Sequence, residues 1–304
     1  MRIVVTGGAG FIGSHLTDRL IKQDHEVTVI DDLSSGKKEN VNPDSVFVPK
    51  DIGTENVKNE LIEADAIFHL AADPDVRSSA RIPTKSFNHN VLLTFRLLEV
   101  CRKADIKHII FASTSTVYGD ADVIPTPEDY SRQPISNYGA SKLACEGYLS
   151  SYAHSYGIKA TILRYANIFG ERSNHGVIYD FFHKLKKNPK ELKILGDGNQ
   201  DKSYLHVKDC VSATVNAFEK QEKIYDVFNV GSTEKHKVTE IAKYVCSAMK
   251  LKPEFRYTGG TRGWVGDVKL ALLDVEKIES LGWAQKISLK EGIKRYVKWL
   301  GMER

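Results

Sequence analysis

The side chains best suited to chemistry are a tyrosine and a lysine in the stretch SNYGASK, at 136–142. Tyr138 precedes Lys142 by four residues, so in a helix both leave the same face, roughly 6 Å apart at Cβ. An ammonium beside a phenol favours the phenolate and lowers a pKa that is about 10 in isolation. The pair predicts either an activated base or an ordinary surface pair, and the rest of the chain must decide which.

The elements that would position this pair follow a strand–helix rhythm. Apolar runs rich in β-branched residues predict strands at 2–6, 26–31, 45–49, 66–71, 108–113 and 159–164. Helical patterns lie between them, with Ile12, Leu16 and Leu20 on one face and a long apolar helix at 91–101. Strands that alternate with helices predict an α/β fold of the Rossmann type, a doubly wound parallel sheet that binds ligands at the carboxyl ends of its strands.

The rhythm breaks after Arg164, where loops lengthen and glycines cluster at 196–200 and 257–267. Ser288, with Glu291 three residues later, forms a capping-box pattern that predicts a final helix. We expect residues 1–165 to form a nucleotide-binding domain, rejoined by parts of 200–235. We expect 166–304 to form a smaller, mixed α/β lobe for the substrate.

The first predicted strand runs into the glycine-rich stretch TGGAGFIG, at 6–13. Gly8, Gly10 and Gly13 satisfy G-x-G-x-x-G, and Gly7, Gly10 and Gly13 satisfy the related G-x-x-G-x-x-G. Glycines allow a tight turn and let backbone N–H groups approach a pyrophosphate, whose charge the helix N-terminus stabilises. The strand–turn–helix context favours a dinucleotide cradle over a purely structural turn.

Carboxylates at two later strand ends extend this prediction. Asp31 ends the second strand, where it can accept hydrogen bonds from both ribose hydroxyls, and together with Asp32 it would repel a 2′-phosphate. NAD is therefore favoured over NADP. Asp51 and Ile52 follow the third strand and could contact the adenine, or they could form a plain loop.

Composition excludes several other classes of protein. A 304-residue chain with 41% hydrophobic and 27% charged residues is typical of a soluble globular enzyme. The net charge of +4 argues against a nucleic-acid binder but suits an anionic small molecule. Four scattered cysteines predict buried thiols rather than disulfides or a metal site. With neither a signal peptide nor an apolar run of ~18 residues, we expect a cytoplasmic protein that does not span a membrane.

Taken together, the motifs closely resemble the extended short-chain dehydrogenase/reductase family, and within it the UDP-glucose 4-epimerases. The resemblance covers nearly the whole chain. It is carried by the motifs TGGAGFIG, DDLSSG, HLAA, STSTVYG, YGASK, RYANIFG, GDGNQ, YLHVKD and RGWVGD, together with Asn90.

The family's catalytic roles would then fall on three positions. The resemblance implies that Tyr138 is the base, that Lys142 binds the nicotinamide ribose and lowers the tyrosine pKa, and that Thr114 bridges sugar and phenolate. Ser113 and Ser115 are rivals for the bridging role. Tyr138 would take the proton of the sugar 4-hydroxyl while the carbon gives a hydride to NAD, and the flat 4-keto sugar would rotate before taking the hydride back.

The remaining site residues implied by the resemblance fall into two sets. Those for NAD are Gly7, Gly10, Phe11, Ile12, Asp31, Asp32, Asp51, Ile52, Leu70, Ala71, Ala72, Asn90, Ser113, Tyr138, Lys142 and Tyr165. Those for a UDP-sugar are Thr114, Ser115, Asn167, Lys202, Arg262 and Asp267. Lys202 stands where the family often has an arginine. Lysine keeps the positive charge but lacks the planar guanidinium fork that binds a diphosphate. Asn167 could instead cap a turn.

Which reaction follows the first oxidation depends on two neighbouring positions. Dehydratases of the family carry an Asp and a Glu where this chain has Ser115 and Thr116, and decarboxylases usually carry a glutamate in place of Thr116. Their absence favours a 4-epimerase acting on UDP-glucose and UDP-galactose. A small Ala271 in the sugar pocket would also admit N-acetylated sugars. A UDP-glucuronate decarboxylase, a reductase and a non-catalytic NAD-binding regulator are the alternatives. The family resemblance also implies a homodimer.

Overall fold

The computed structural model describes residues 1–53, 56–260 and 270–302, with only the backbone described for Leu270 and Ala271. Clustering of Cα positions divides the chain into two compact units. The first unit comprises 1–119, 131–165 and 214–228, and the second comprises 120–130, 166–213 and 229–304.

A seven-stranded sheet organises the first unit. Its strands are β1 (Arg2–Thr6), β2 (Glu26–Ile30), β3 (Val46–Val48), β4 (Ala66–His69), β5 (His108–Thr114), β6 (Lys159–Tyr165) and β10 (Tyr225–Val230). The spatial order is β10-β6-β5-β4-β1-β2-β3, and the pairs from β1 to β6 are parallel. The chain moves outward from β1 to β3 and then crosses to β4 on the other side of β1. This reversal is the point where open α/β sheets bind nucleotides.

The helices of the first unit cover this sheet. They are α1 (Phe11–Ile21), α2 (Lys58–Leu61), α3 (Val76–Ser79), α4 (Pro83–Ser86), α5 (Leu93–Lys103) and α6 (Asn137–Tyr156). A π-helical turn (Phe87–Leu92) leads into α5, and 3₁₀ turns span Lys38–Asn40 and Ser115–Tyr118. α8 (Val207–Lys220) carries residues of both units. Leu16 and Leu20 are fully buried, as the helical periodicity predicts, and every residue of β4 is buried, as its continuous apolar run predicts.

The second unit is smaller and mixed. Its strands are β7 (Asn167–Phe169), β8 (Glu191–Ile194), β9 (Asp201–His206), β11 (Lys235–Lys237), β12 (Glu254–Tyr257) and β13 (Leu270–Ala271). β9 pairs parallel with β7 and β13 but antiparallel with β11, and β12 pairs parallel with β8. The helices are α7 (Val177–Lys187), α9 (Val238–Met249), α10 (Glu276–Ser280) and α11 (Leu289–Leu300). Apolar faces of α7, α9 and α11 meet in one buried core.

The sequence predictions for these elements are largely confirmed. All six predicted strands exist with shifts of one or two residues at their ends, and Ser288 caps α11 by accepting a hydrogen bond from the Glu291 N–H. The α/β fold class is confirmed, with a parallel central sheet and a smaller mixed one. All four cysteines are buried, as expected. Among the residues described, no helix is both long and apolar enough to cross a bilayer.

Candidate active site

The turn between β1 and α1 has the form that a dinucleotide pyrophosphate requires. Gly7 has φ +72°, and a Cβ there would lie 2.7 Å from the Ala71 nitrogen, so only glycine fits. At Gly13 a Cβ would lie 2.2 Å from the Gly7 carbonyl oxygen. At Gly10 the same oxygen, at 3.1 Å, is the sole neighbour within 4 Å. The turn is therefore closely packed behind Gly7 and Gly13 and open at Gly10.

The start of α1 suits a negative charge. Gly10 is its N-cap, no side chain caps the helix, and its first turn contains no acidic residue. The positive end of the helix dipole therefore faces the open side of the glycine turn. Phe11 and Ile12 are the first residues of the helix, where their backbones belong to this anion-binding end.

Asp31 lies buried at the end of β2 and is held by backbone N–H groups. Its Oδ2 accepts from Ala9 at 3.0 Å and its Oδ1 from Leu33 at 2.8 Å. Burial raises the pKa of Asp31, and these two hydrogen bonds act against that rise. Each carboxylate oxygen keeps a second lone pair for a ligand hydroxyl. Asp32 instead accepts from the Ser34 backbone and hydroxyl.

The loops after β3 and β4 approach the same edge of the sheet. Ile52 is buried in the core of the first unit, and the Asp51 Oδ1 accepts from the Gly53 N–H at 2.7 Å. Leu70 donates its N–H to the Thr6 carbonyl, and the Ala71 N–H reaches the Thr6 hydroxyl at 3.3 Å. Ala72 follows directly. The structure therefore places Leu70, Ala71 and Ala72 beside the end of β1.

Asn90 connects the loop after β4 to the helix that carries Tyr138. It lies in the π-helical turn, is fully buried, and accepts from the Asp73 N–H at 2.8 Å. Its Nδ2 donates to the Ser141 hydroxyl at 2.9 Å, and that hydroxyl donates to the Tyr138 carbonyl at 2.7 Å. Asn90 thus positions the first turn of α6, and any direct contact of it with NAD remains a prediction.

Local sequence determines where α6 begins. Ser136 is its N-cap and accepts from the Gly139 N–H at 3.0 Å, so SNYGASK is the start of a helix as predicted. A Cβ at Gly139 would lie 2.7 Å from the Thr116 carbonyl oxygen. Glycine next to Tyr138 therefore lets the helix start approach the end of β5.

Lys142 is buried on the inner side of α6. Its Nζ donates to the Ala112 carbonyl at 2.9 Å and lies 4.6 Å from the centre of the Phe111 ring. Burial lowers the pKa of Lys142 to about 8, while Cys145 and Glu146 act in the opposite direction. The ammonium is held by one carbonyl and one aromatic face, and it keeps donors for a ligand.

Tyr138 meets Thr114, the residue that the resemblance assigns as the bridge. The Thr114 side chain ends β5 and lies close enough to the Tyr138 phenol to lower its pKa. The pKa of Tyr138 is raised to about 12, mainly by burial; the interaction with Thr114 opposes this rise, and the charges of Asp73 and Cys145 add to it. Among the protein's own groups this pKa is therefore raised and not lowered as expected, because desolvation is the largest influence on the phenol.

Ser113, one of the two other candidates for the bridging role, forms a hydrogen bond away from Tyr138. Its hydroxyl donates to Glu146, which also forms a buried ion pair with Arg164 at 2.7 Å. Sequence reasoning missed this pair, although an arginine inside the apolar strand ATILRY was a usable signal, since a buried charge needs a partner. Ser115 begins the 3₁₀ turn that follows Thr114 and is half-buried.

The other predicted site residues lie on β6 and in the second unit. The Tyr165 hydroxyl is 2.8 Å from that of Thr214. Asn167 donates to the Ser203 carbonyl at 3.0 Å, which is a structural role that leaves its Oδ1 available, and Lys202 lies on β9. The predicted ligands Arg262 and Asp267 lie outside the described residues. Their binding roles remain predictions.

The Gly10 position separates cofactor binding from folding. Gly10→Ala adds a methyl group with one tight neighbour at φ −77°, an ordinary backbone conformation. We expect NAD affinity to fall by about tenfold or more, since the methyl blocks backbone approach to the pyrophosphate. We expect the melting temperature to stay within roughly 4 °C of wild type. Calorimetric titration and thermal denaturation measure the two.

Gly13→Ala is the matched control, because its methyl would lie 2.2 Å from a carbonyl oxygen and must displace the turn. It should lower the melting temperature clearly as well as the NAD affinity. Wild-type NAD affinity in a folded Gly10→Ala protein would contradict the assignment.

Lys142 should make stability rise with pH in the NAD-free protein. Its folded pKa of about 8 lies below the unfolded value, so between these values the unfolded chain binds more protons and stability increases with pH. The full rise is about 3 kcal/mol. Lys142→Met should remove it and raise the free energy of unfolding at pH 7. Urea denaturation at pH 7 and pH 9.5 measures both, with the exposed Lys103→Met as control. An unchanged pH dependence in Lys142→Met would contradict the prediction.

Comparisons with known proteins agree with this geometry. Residues 3–231 match the model of the NAD dependent epimerase/dehydratase family. A putative UDP-glucose 4-epimerase of Methanocaldococcus jannaschii is 38% identical over 98% of both chains. The UDP-glucuronic acid decarboxylase 1 of Danio rerio is 30% identical over 99% of this chain and 73% of its own length.

Solved structures are similar over nearly the whole chain. A crystal structure of a UDP-galactose 4-epimerase is 44% identical, covers 99% of both chains and superposes with a TM-score of 0.90. The UDP-glucose 4-epimerase of Thermotoga maritima, solved with UDP-glucose, is 37% identical with the same coverage and a TM-score of 0.91. The chain therefore belongs to the NAD-dependent epimerase/dehydratase family, among its UDP-sugar 4-epimerase-like members, and its cofactor is NAD.

Proposed function

We propose that this protein is a UDP-sugar 4-epimerase that interconverts UDP-glucose and UDP-galactose. The observation that carries the proposal is the placement of Tyr138 beside Thr114 at the carboxyl end of β5, with the buried Lys142 one helical turn further along α6. Relatives named as UDP-glucose and UDP-galactose 4-epimerases share the fold at 37–44% identity.

In this reaction NAD supplies the acceptor and donor of the hydride at the sugar C4. Tyr138 takes the proton of the 4-hydroxyl and later returns it, and Thr114 orients that hydroxyl by a hydrogen bond. Lys142 stabilises the phenolate that forms, which matters because burial holds the tyrosine pKa at about 12. The 4-keto sugar has a planar carbon, so return of the hydride to its other face inverts the configuration.

Ser115 and Thr116 support epimerisation over elimination or decarboxylation. Thr116 lies in the 3₁₀ turn, with its hydroxyl 3.1 Å from that of Thr114, so it is close to the residues of the proposed chemistry. Neither side chain exchanges a proton readily at neutral pH. A 4-keto sugar would therefore meet no carboxylate at these two positions to assist loss of water or carbon dioxide.

The decisive test is conversion of UDP-galactose by the purified protein without added NAD. We expect UDP-glucose to form with no net NADH, because the hydride returns to the sugar in each turnover. Tyr138→Phe should lower kcat by a factor of about 10² to 10⁴, since it removes the acid–base group. Coupled enzymatic detection of UDP-glucose measures both.

Three further measurements test the alternative reactions and the substrate range. Release of carbon dioxide from UDP-glucuronate would favour the decarboxylase, and accumulation of NADH would favour a net redox enzyme. UDP-N-acetylgalactosamine tests the expectation from Ala271, whose side chain lies outside the described part of the chain. Conversion of UDP-galactose without added NAD would also establish that the protein retains NAD through purification.

A homodimer through α5 and α6 belongs to the same proposal. Phe95, Tyr148 and Tyr156 are exposed on these helices, with the Phe95 and Tyr148 rings 5.3 Å apart and Arg102 stacked over Tyr156 at 5.3 Å. Clustered exposed aromatic rings beside an arginine are typical of an interface core.

Tyr148→Asp should convert a dimer into a monomer of 34.1 kDa, because two carboxylates would be buried across a two-fold axis. Tyr257→Asp, an equally exposed tyrosine in the second unit, is the control. Sedimentation equilibrium measures the mass. A monomeric wild type, or a Tyr148→Asp protein that stays dimeric, would contradict this interface.

A further inference from the structure

One carboxylate beside the proposed active site has no assigned role. Asp73 follows β4 and is 9% exposed. Its Oδ1 lies 3.3 Å from the Lys85 ammonium and 3.4 Å from the Asp75 N–H, whereas its Oδ2 is buried with no hydrogen-bond partner among the described residues. A buried carboxylate oxygen without a partner is costly and calls for a functional explanation.

The backbone holds Asp73 firmly against the start of α6. Its N–H donates to the Asn90 side chain, whose amide donates back to the Asp73 carbonyl at 3.3 Å and on to the Ser141 hydroxyl at 2.9 Å. Ser141 in turn donates to the Tyr138 carbonyl. The side chains of Asn90 and Ser141 therefore connect the backbones of Asp73 and Tyr138, and neither backbone can move far without breaking buried hydrogen bonds.

The charge of Asp73 is weakly neutralised. Its ion-pair partner Lys85 has 45% of its side chain exposed, so water screens that ammonium and competes for it. The effect of the carboxylate extends to the phenol, since Asp73 is one cause of the raised pKa of Tyr138, after burial. The charge of Asp73 is thus one contribution that disfavours negative charge on the phenol.

A sugar carboxylate would enter the same field. In a hexuronate the carboxyl carbon is two bonds from C4, the carbon whose hydroxyl Tyr138 contacts in the proposed function. Its negative charge would therefore lie within a few ångströms of the phenol oxygen. In a site of low dielectric such like charges repel strongly, whereas the neutral hydroxymethyl group of a hexose feels no such repulsion.

We propose that Asp73 is a specificity-determining residue whose buried carboxylate excludes hexuronates and so directs the enzyme to UDP-sugars with a neutral C6 group. The inference rests on the proposed 4-epimerase function and narrows its substrate class. Selectivity here comes from a repulsive element against the wrong substrate rather than from an added contact with the right one.

Binding measured without turnover tests the assignment. In NAD-saturated protein carrying Tyr138→Phe, calorimetry gives the dissociation constants of UDP-glucose and UDP-glucuronate. We expect the protein with Asp73 intact to bind UDP-glucose more tightly than UDP-glucuronate. Adding Asp73→Asn, which keeps the shape and removes the charge, should improve UDP-glucuronate binding about tenfold relative to UDP-glucose.

Two further variants control for net charge and for folding. Asp75→Asn removes an equal charge two residues away, where the side chain caps α3, and should leave the ratio of the two dissociation constants unchanged. Lys85→Met removes the partner of Asp73 and should shift the ratio a few-fold the other way. This opposite sign keeps the assignment testable even where Asp73→Asn does not fold.

The outcomes separate this inference from the proposed function. If the wild-type protein epimerises no UDP-hexose, the proposed function is wrong. Epimerisation of UDP-galactose together with equal binding of the two sugars, or with the same ratio in Asp73→Asn and Asp75→Asn, overturns the role of Asp73 and leaves the epimerase standing.

Discussion

A buried ion pair between Glu146 and Arg164 holds α6, the helix that carries Tyr138 and Lys142, in place. Two hydrogen bonds, of 3.0 and 2.7 Å, join the guanidinium of β6 to the carboxylate of α6, and the Tyr118 hydroxyl accepts a third at 2.8 Å. Removing either partner would leave a buried charge unpaired, which typically costs about 3–5 kcal/mol. α6 therefore cannot rotate or slide against β5 and β6, and Lys142, one turn before Glu146, is held against the Ala112 carbonyl.

The same burial that fixes the site works against the charges that the proposed reaction uses. Desolvation moves the pKa of Tyr138 up to about 12 and that of Lys142 down to about 8, so each group is shifted toward its neutral form. Paired shifts of this kind are common where catalytic groups are kept out of water. The interaction with Thr114 acts against the shift of Tyr138, and Cys145 and Glu146 act against that of Lys142.

Much of this arrangement could be predicted from local patterns. The six strands, the glycine turn before α1 and the Ser136 cap of α6 each depend on residues near one another in the chain. The Glu146–Arg164 pair and the Asn90 bridge depend on residues 18 and 51 positions apart, which spacing alone does not bring together. For the same reason Ser113, a rival of Thr114 for the bridging role in the sequence, is set apart only by the folded chain, where its hydroxyl donates to Glu146.

The sequence by itself determined the elements, the glycine cradle, and the presence of a tyrosine and a lysine on one helix, because backbone geometry and hydrophobic periodicity are short-range. Only the tertiary structure decided the direction in which the tyrosine pKa moves, since burial and the charge of Asp73 act through space across segments distant in the chain. Chain folding also decided which hydroxyl meets the phenol and which carboxylate is left buried without a full set of partners.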